Sequence, residues 1–182
     1  MIALLDANLF VPTWIIDPLL SLAEAGLCEP AWSARVMDEA RLAIMEVRHV
    51  PDVRARGFLD AICRAFPMAM AEDWERFEPD VNLSDPNDGH VVAAARRAGA
   101  ETIVTFNLNF PADELSRYGL HAQSPDVFLT SVFDAHPEEA MDAMRRPVSS
   151  KRHPPRTMSE EIEHLRVLRL PLFARRLSET VG

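Results

Sequence analysis

Three acidic residues stand beside apolar segments of this sequence, where an unpaired carboxylate is costly to bury. Asp6 directly follows the apolar run Ile2–Leu5, Glu39 flanks the apolar stripe of one helical segment, and Asp88 lies on the apolar face of another. Carboxylates within a few ångströms of one another cannot all remain ionised without a cation. Oxygen ligands without clustered cysteine or histidine favour Mg²⁺ or Mn²⁺. The three residues therefore predict a metal site suited to phosphodiester hydrolysis.

Polar residues after two predicted strands extend this candidate site. The run 102–106, Thr-Ile-Val-Thr-Phe, predicts a strand that is buried on both faces of a parallel sheet. Ligands bind beyond the carboxyl ends of such strands, so the residues that follow 2–5 and 102–106 should meet. The further candidate metal ligands are Asn107, Asn109 and Asp113, and the residues expected to orient the ligands are Asn8 and Thr105.

The segment that carries Glu39 is a predicted helix. Ser33 is a suitable N-cap, and the helical period places Glu39 beside the buried stripe but Asp38 nearly opposite it. The predicted stripe consists of Val36, Ala40, Ala43, Ile44 and Val47. Glu39 is therefore the acid expected to point inward.

The segment that carries Asp88 is a second predicted helix. Asp85 and Pro86 predict its start, because Asp85 can accept the first backbone N–H groups and Pro86 lacks an N–H that would have no partner. His90 is predicted to point away from the buried stripe, in a structural or solvent-facing role. The preceding residues 78–83 alternate loosely and predict a strand, which Pro79 confines to a sheet edge.

The C-terminal part of the chain differs in character. We predict an α/β domain over residues 1–135 and a helical extension over 136–182, with a short helix at 138–146 and a Pro-rich basic linker at 147–156. Thr157 and Glu160 form a capping-box pattern for a final helix, which Pro171 should break or kink. The basic residues that could contact phosphate groups are Arg145, Arg146, Lys151, Arg152 and Arg156, although a solvated linker accounts for them equally well.

Composition limits the classes of protein to consider. The 182 residues are 48% hydrophobic, enough to bury a core, yet no apolar run suits a membrane span and none resembles a signal peptide. We expect reduced Cys28 and Cys63 in a cytoplasmic protein. The net charge of −9 divides into −14 for residues 1–144 and +5 for 145–182. The basic tail could attract a polyanion, or dock on the body or on a second copy in a homodimer.

Four sequence motifs occur in this order: LLDANLFVP, WSARVMDEA, DPNDGHVVAAARRAGAETIVTFNLNFP and YGLHAQSPDVFL. They resemble the successive motifs of the PIN domain family, in particular the VapC-like toxins of type II toxin–antitoxin systems. The resemblance covers about residues 1–135 and implies a PIN-like α/β fold, with a central parallel sheet flanked by helices. It also implies a Mg²⁺- or Mn²⁺-dependent ribonuclease, a hydrolase, whose acidic residues are Asp6, Glu39 and Asp88. The implied partners are an RNA substrate and a cognate antitoxin protein.

The loop after the second strand departs from the family pattern. Family members commonly continue Asn-Leu-x-Asp-Phe-Pro, but here Asn107 begins the shorter Asn-Leu-Asn-Phe-Pro. An amide thus fills the fourth acidic position, or Asp113 does after a shift. One alternative is therefore a catalytically impaired PIN-like protein that only binds RNA or a partner. Another is a phosphatase of the haloacid dehalogenase type, which needs a second Asp two residues after Asp6, where this chain has Asn8.

Overall fold

The computed structural model of this chain describes residues 1–107, 110–150 and 157–181. It divides into two compact units, each built from separate stretches of chain. The first unit comprises Met1–Pro12 and Glu29–Gln123, and the second comprises Thr13–Cys28 and Ser124–Gly182. No helix in the described part is long and apolar enough to cross a membrane.

The first unit contains a parallel sheet of four strands in the order β2-β1-β3-β4. The strands are β1 (Ile2–Leu5), β2 (Glu29–Ala31), β3 (Thr102–Val104) and β4 (His121–Gln123). The helices of the whole described chain are α1 (Thr13–Glu24), α2 (Ala34–Arg48), α3 (Asp52–Ala65), α4 (Gly89–Ala98), α5 (Ala112–Ser116), α6 (Pro125–Ala135), α7 (Pro137–Ser150), α8 (Met158–Val167) and α9 (Pro171–Val181). The sequence-based prediction of an α/β fold with a central parallel sheet is confirmed.

The register of the two central strands positions the candidate site. Leu5 of β1 pairs with Val104 of β3, so the next residue of each strand, Asp6 and Thr105, emerges at the same edge of the sheet. The Asp6 N–H continues the ladder by donating to the Val104 carbonyl at 3.1 Å. All three residues of β3 are buried, as expected for a short β-branched run inside a parallel sheet.

Helix α4 forms the main layer against this sheet in the first unit and contacts β1 and β3. Its residues from Gly89 to Ala95 are all buried, because the sheet and the turns of residues 74–88 surround it. Gly99 ends α4 with φ of 68°, a left-handed conformation that glycine adopts at little cost. The first two turns of α4 are therefore enclosed, whereas Arg97 near its end is exposed.

Two local predictions in the first unit are wrong, and one strand was not predicted. Residues 78–83 do not form an edge strand; they begin with the 3₁₀ turn Glu78–Asp80, which has proline in its first turn. Val47 is 63% exposed, because the buried stripe of α2 ends one turn earlier at Ile44. Strand β2 was not foreseen, since Glu-Pro-Ala carries no alternating pattern and proline is disfavoured in strands.

The second unit is helical, and its composition corrects the predicted domain boundary at residue 135. Helix α6 packs on α1, α7 and α9, so the C-terminal unit begins at Ser124 and also recruits α1 from the N-terminal region. Helix α7 runs on to Ser150, four residues into the predicted linker, whereas residues 151–156 lie outside the described part. The expected helical C-terminal region is confirmed with these changed limits.

The predicted helix starts in the second unit are confirmed. Thr157 and Glu160 form a complete capping box, and a break separates α8 from α9 before Pro171. Asp126 is buried in the first turn of α6 and accepts the N–H groups of Leu172 at 3.1 Å and Phe173 at 2.9 Å. The sequence did not reveal this long-range cap, which joins the start of α9 to α6.

Candidate metal centre

Asp6 is the best-ordered acid of the candidate site, because three donors hold its carboxylate. Oδ1 accepts the Ala7 N–H at 2.7 Å, and Oδ2 accepts the Thr105 hydroxyl and the Asn8 amide, each at 2.6 Å. Burial raises the pKa of Asp6, and these hydrogen bonds act in the opposite direction. A carboxylate in this setting is fixed in orientation and is desolvated.

Asn8 and Thr105 connect the ends of β1 and β3. The Asn8 amide donates to Thr105 Oγ1 at 3.0 Å as well as to Asp6, and its carbonyl oxygen accepts the Phe106 N–H at 3.2 Å. Thr105 Oγ1 also accepts the Asn107 N–H at 2.9 Å. Asn8 and Thr105 thus both donate to the Asp6 carboxylate, the kind of contact by which they would orient a metal ligand.

Glu39 lies in the second turn of α2, which begins at the N-cap Ser33 as predicted. Its side chain is 41% exposed, against 71% for Asp38, in agreement with the helical wheel. Oε1 lies 3.4 Å from Arg35 Nε and 3.1 Å from His90 Nε2. Burial is the largest cause that raises the pKa of Glu39, and the charges of Asp6 and Asp88 add to it.

Asp88 ends the 3₁₀ turn Pro86–Asp88 and immediately precedes α4. The side chain of Asp85 caps this turn by accepting the Asn87 N–H at 2.9 Å, whereas Asp88 makes no capping hydrogen bond. Burial raises the pKa of Asp88, followed by the negative charges of Asp85 and Asp6. The division of roles between the two aspartates therefore matches the sequence argument.

The three carboxylates act on one another through their charges. Asp6 raises the pKa of both Glu39 and Asp88, and Asp88 also raises that of Glu39. Among the described residues, no three acidic, histidine or cysteine side chains converge as a ready-made coordination shell. The donor chemistry nevertheless fits an oxygen-preferring divalent cation, because such an ion would offset both the burial and the mutual repulsion of these carboxylates.

The sequence leaves His90 either structural or solvent-facing, and the solvent-facing alternative is wrong. Its side chain is 3% exposed, and its ring packs edge-on against Trp74 with centroids 6.1 Å apart. Burial, followed by the charge of Arg35, lowers the pKa of His90 to about 4. The helical wheel assumes a single buried face, but the turns of residues 74–88 also cover the first two turns of α4, so His90 is buried away from the predicted stripe.

The remaining predicted residues do not join this cluster in the described part of the chain. Asp113 lies in the first turn of α5, where its side chain is 78% exposed and lies 3.8 Å from Arg117. Asn107 is half-buried, and its backbone contact with Thr105 places it beside the site. Of the predicted site residues, four lie outside the described part of the chain: Asn109, Lys151, Arg152 and Arg156. Arg145 and Arg146 are exposed on α7 in the second unit.

Comparison with known proteins agrees with this architecture. A family model described as PIN domain matches residues 3–109, and one described as VapC50 C-terminal domain matches residues 125–179. The chain belongs to the PIN domain family. Its two matched segments fall largely in the first and the second unit, respectively.

One curated relative extends this assignment. The chain is 50% identical over 58 residues to a Mycobacterium tuberculosis protein named "Putative ribonuclease VapC50". The matched stretch covers 31% of this chain and about a third of the relative, 34% of its length. No solved structure matches the chain. The family membership gives no support to the phosphatase alternative.

Proposed function

We propose that this protein is a Mg²⁺- or Mn²⁺-dependent endoribonuclease that acts as the toxin of a toxin–antitoxin pair. The observation that carries the proposal is the grouping of Asp6, Glu39 and Asp88 near the carboxyl edge of the parallel sheet, where Asp6 raises the pKa of the other two carboxyls and Asp88 also raises that of Glu39. Membership of the PIN domain family and the name of the M. tuberculosis relative support the substrate class and the toxin role.

Asp6, Glu39 and Asp88 would hold the metal ion in this function. A bound Mg²⁺ or Mn²⁺ lowers the pKa of a coordinated water and stabilises the charge that develops on a phosphodiester during hydrolysis. The residues of this chain supply the orientation, because Thr105 and Asn8 fix the Asp6 carboxylate at 2.6 Å. Asn107 follows Thr105 closely in the chain, its backbone nitrogen lying 2.9 Å from Thr105 Oγ1, and its side-chain amide would offer a further oxygen ligand.

RNA and an antitoxin protein are the partners that this function requires. The positive charge of residues 145–182 supports a contribution of Arg145, Arg146, Lys151, Arg152 and Arg156 to RNA binding. A cognate antitoxin would restrain the nuclease. Association of two copies of the chain remains a further proposal.

The alternative of a non-catalytic, PIN-like binding protein is favoured by one observation. The loop that begins at Asn107 carries Asn109 where the family pattern has an acid. Fewer carboxylates weaken a site for a hard divalent cation. In the binding-only alternative, the chain binds RNA or a partner but no longer holds the metal ion needed for cleavage. Activity measurements separate the two possibilities.

The test is cleavage of a mixed RNA pool by the full chain with Mn²⁺, with EDTA, and with the variants Asp88→Asn and Asp85→Asn. The second variant is the matched control, because Asp85 caps the same turn and asparagine retains that cap. We expect discrete fragments from the wild type and Asp85→Asn, and none with EDTA or Asp88→Asn. RNA binding without any cleavage in Mn²⁺ would instead establish the binding-only alternative.

A further inference from the structure

We propose that His90 is a positioning residue that holds the Glu39 carboxylate through its Nε2–H, and that this contact sets the affinity of the metal centre. The inference rests on the proposed function, since it concerns the same site. Its basis is the 3.1 Å separation between His90 Nε2 and Glu39 Oε1, a hydrogen-bonding distance.

The surroundings of the imidazole select which nitrogen carries the proton. Within the described residues, Nδ1 of His90 is buried and has no hydrogen-bond partner. A proton on Nδ1 would leave a buried N–H unsatisfied and would turn the Nε2 lone pair toward the Glu39 carboxylate. A proton on Nε2 avoids both costs. Nε2 is therefore the donor that faces Glu39.

The ring is also held rigidly, which a positioning residue requires. His90 lies in the first turn of α4, whose residues are buried from Gly89 to Ala95, and its ring meets the Trp74 ring edge-on. A buried side chain in a packed helix has already lost its rotamer freedom. Glu39 itself is 41% exposed, so its own helix does not fix the position of its carboxylate.

Arg35 is the other cation or donor near Glu39, and it is a poorer candidate for this role. Its side chain is 45% exposed and divides its contacts between Glu39 at 3.4 Å and Glu78 at 3.6 Å. A long, exposed arginine pays side-chain entropy to hold one geometry, and its positive charge competes with a metal ion. Among the described residues, both Arg35 and His90 approach Oε1, and no hydrogen bond reaches Oε2 of Glu39. The neutral imidazole can thus orient the carboxylate while leaving one oxygen for a cation.

The experiment compares Mn²⁺ binding, by titration calorimetry, and RNA cleavage for His90→Gln and His90→Met. Glutamine places an amide N–H at the position of Nε2, whereas methionine has a similar volume without a donor. Loss of a group that orients a metal ligand typically lowers affinity about 10- to 100-fold. We expect at least about a 10-fold loss for His90→Met and a loss within about 3-fold for His90→Gln.

Two further arms distinguish positioning from a general effect on folding. In a Glu39→Ala background, His90→Met should cause no additional loss of Mn²⁺ affinity, because the side chain through which His90 acts is gone. Arg35→Met should leave the Mn²⁺ affinity unchanged or increased. If His90→Met does not fold, as judged by circular dichroism, His90→Asn replaces it, since its amide reaches only the position of Nδ1.

The outcomes are distinct for this inference and for the proposed function. Wild-type protein that neither binds Mn²⁺ nor cleaves RNA would overturn the proposed function and the inference with it. Wild-type activity together with unchanged Mn²⁺ affinity in His90→Met, or in His90→Asn where that variant is used, would overturn the inference alone. An equal additional loss in the Glu39→Ala background would also overturn it, because His90 would then act independently of Glu39.

Discussion

Thr105 donates its hydroxyl proton to Asp6 at 2.6 Å and thereby joins the ends of the two central strands at the candidate site. The same oxygen accepts the Asn107 N–H and the Asn8 amide, so one buried hydroxyl organises three neighbours. Its hydrogen bond also lowers the pKa of Asp6 against the opposing effect of burial. Thr105 is therefore expected to matter for both stability and metal binding.

Replacement of Thr105 by valine tests this expectation. The variant keeps the shape of the side chain but leaves Asp6 without one donor and two N–H groups without their acceptor. We expect a loss of about 1–3 kcal/mol in the free energy of unfolding, measured by urea denaturation. The pKa of Asp6 should rise further, so Mn²⁺ binding should begin at higher pH. Thr105→Ser retains the hydroxyl, and equal behaviour of the two variants would contradict the role of the hydrogen bond.

Asp88→Asn should stabilise the protein in the absence of divalent metal. The raised pKa of Asp88 means that its ionised form is disfavoured in the folded state. A carboxyl with a raised pKa stabilises fully below its unfolded-state value, and this contribution is lost as pH rises through the folded-state value. At pH 8 with EDTA we expect a gain on the order of 1 kcal/mol, which should shrink as the pH falls toward the ordinary carboxyl pKa of 3.8 and vanish below it.

Thermal denaturation across this pH range measures the effect of Asp88→Asn. The exposed Asp60 of α3 provides a control, and Asp60→Asn should change stability little at either pH. Added Mn²⁺ should reverse the order at pH 8, since wild type gains stability from binding and Asp88→Asn gains less. An Asp88→Asn variant that is less stable than wild type with EDTA would show that Asp88 does not experience repulsion.

The sequence predicted that Asp6 follows a strand and that Thr105 orients a metal ligand, but it placed the end of the second strand at residue 106, whereas β3 ends at Val104, and it did not reveal the contact between Asp6 and Thr105. An apolar run followed by a polar residue identifies a strand end, and the strand-end rule for parallel sheets brings such ends together. The pairing of Leu5 with Val104, which makes these two residues neighbours, is a matter of register between strands far apart in sequence. No local pattern in either strand encodes that register.

Two errors in the prediction, the environment of His90 and the assignment of α6, share a physical cause, which is packing between segments distant in sequence. A helical wheel assumes one buried face, but residues 89–95 of α4 are all buried, so the solvent-facing alternative for His90 is wrong. Likewise, α6 has the amphipathic pattern of any surface helix, and only its packing against α1, α7 and α9 assigns it to the second unit. Such contacts depend on segments that no local pattern connects.

The pH dependence of stability should report the burial of His90. Its pKa is lowered to about 4, so His90 stabilises the folded state above its unfolded-state value near 6.5, and this contribution is lost as pH falls toward 4. The charged groups that face it are Glu39 and Arg35. Relative to His90→Gln, which does not titrate, wild type should lose about 2 kcal/mol between pH 7 and pH 5. Urea denaturation at both pH values measures this difference, and parallel losses in the two proteins would mean that His90 accepts a proton without penalty.

Asp126→Ala should destabilise the second unit more than a typical loss of a surface charge. The buried carboxylate accepts the N–H groups of Leu172 at 3.1 Å and Phe173 at 2.9 Å, which lie in the first turn of α9 and have no acceptor within that helix. Its removal leaves these donors without their acceptor, and we expect a loss of about 2–4 kcal/mol in the free energy of unfolding.

Asp134→Ala is the matched control for Asp126→Ala, because Asp134 is an exposed acid of α6 that contacts Arg176 of α9 at 2.9 Å. Loss of that exposed ion pair should cost below about 1 kcal/mol. Urea denaturation followed by circular dichroism measures both variants, and equal losses would show that the cap from Asp126 adds nothing beyond a surface contact.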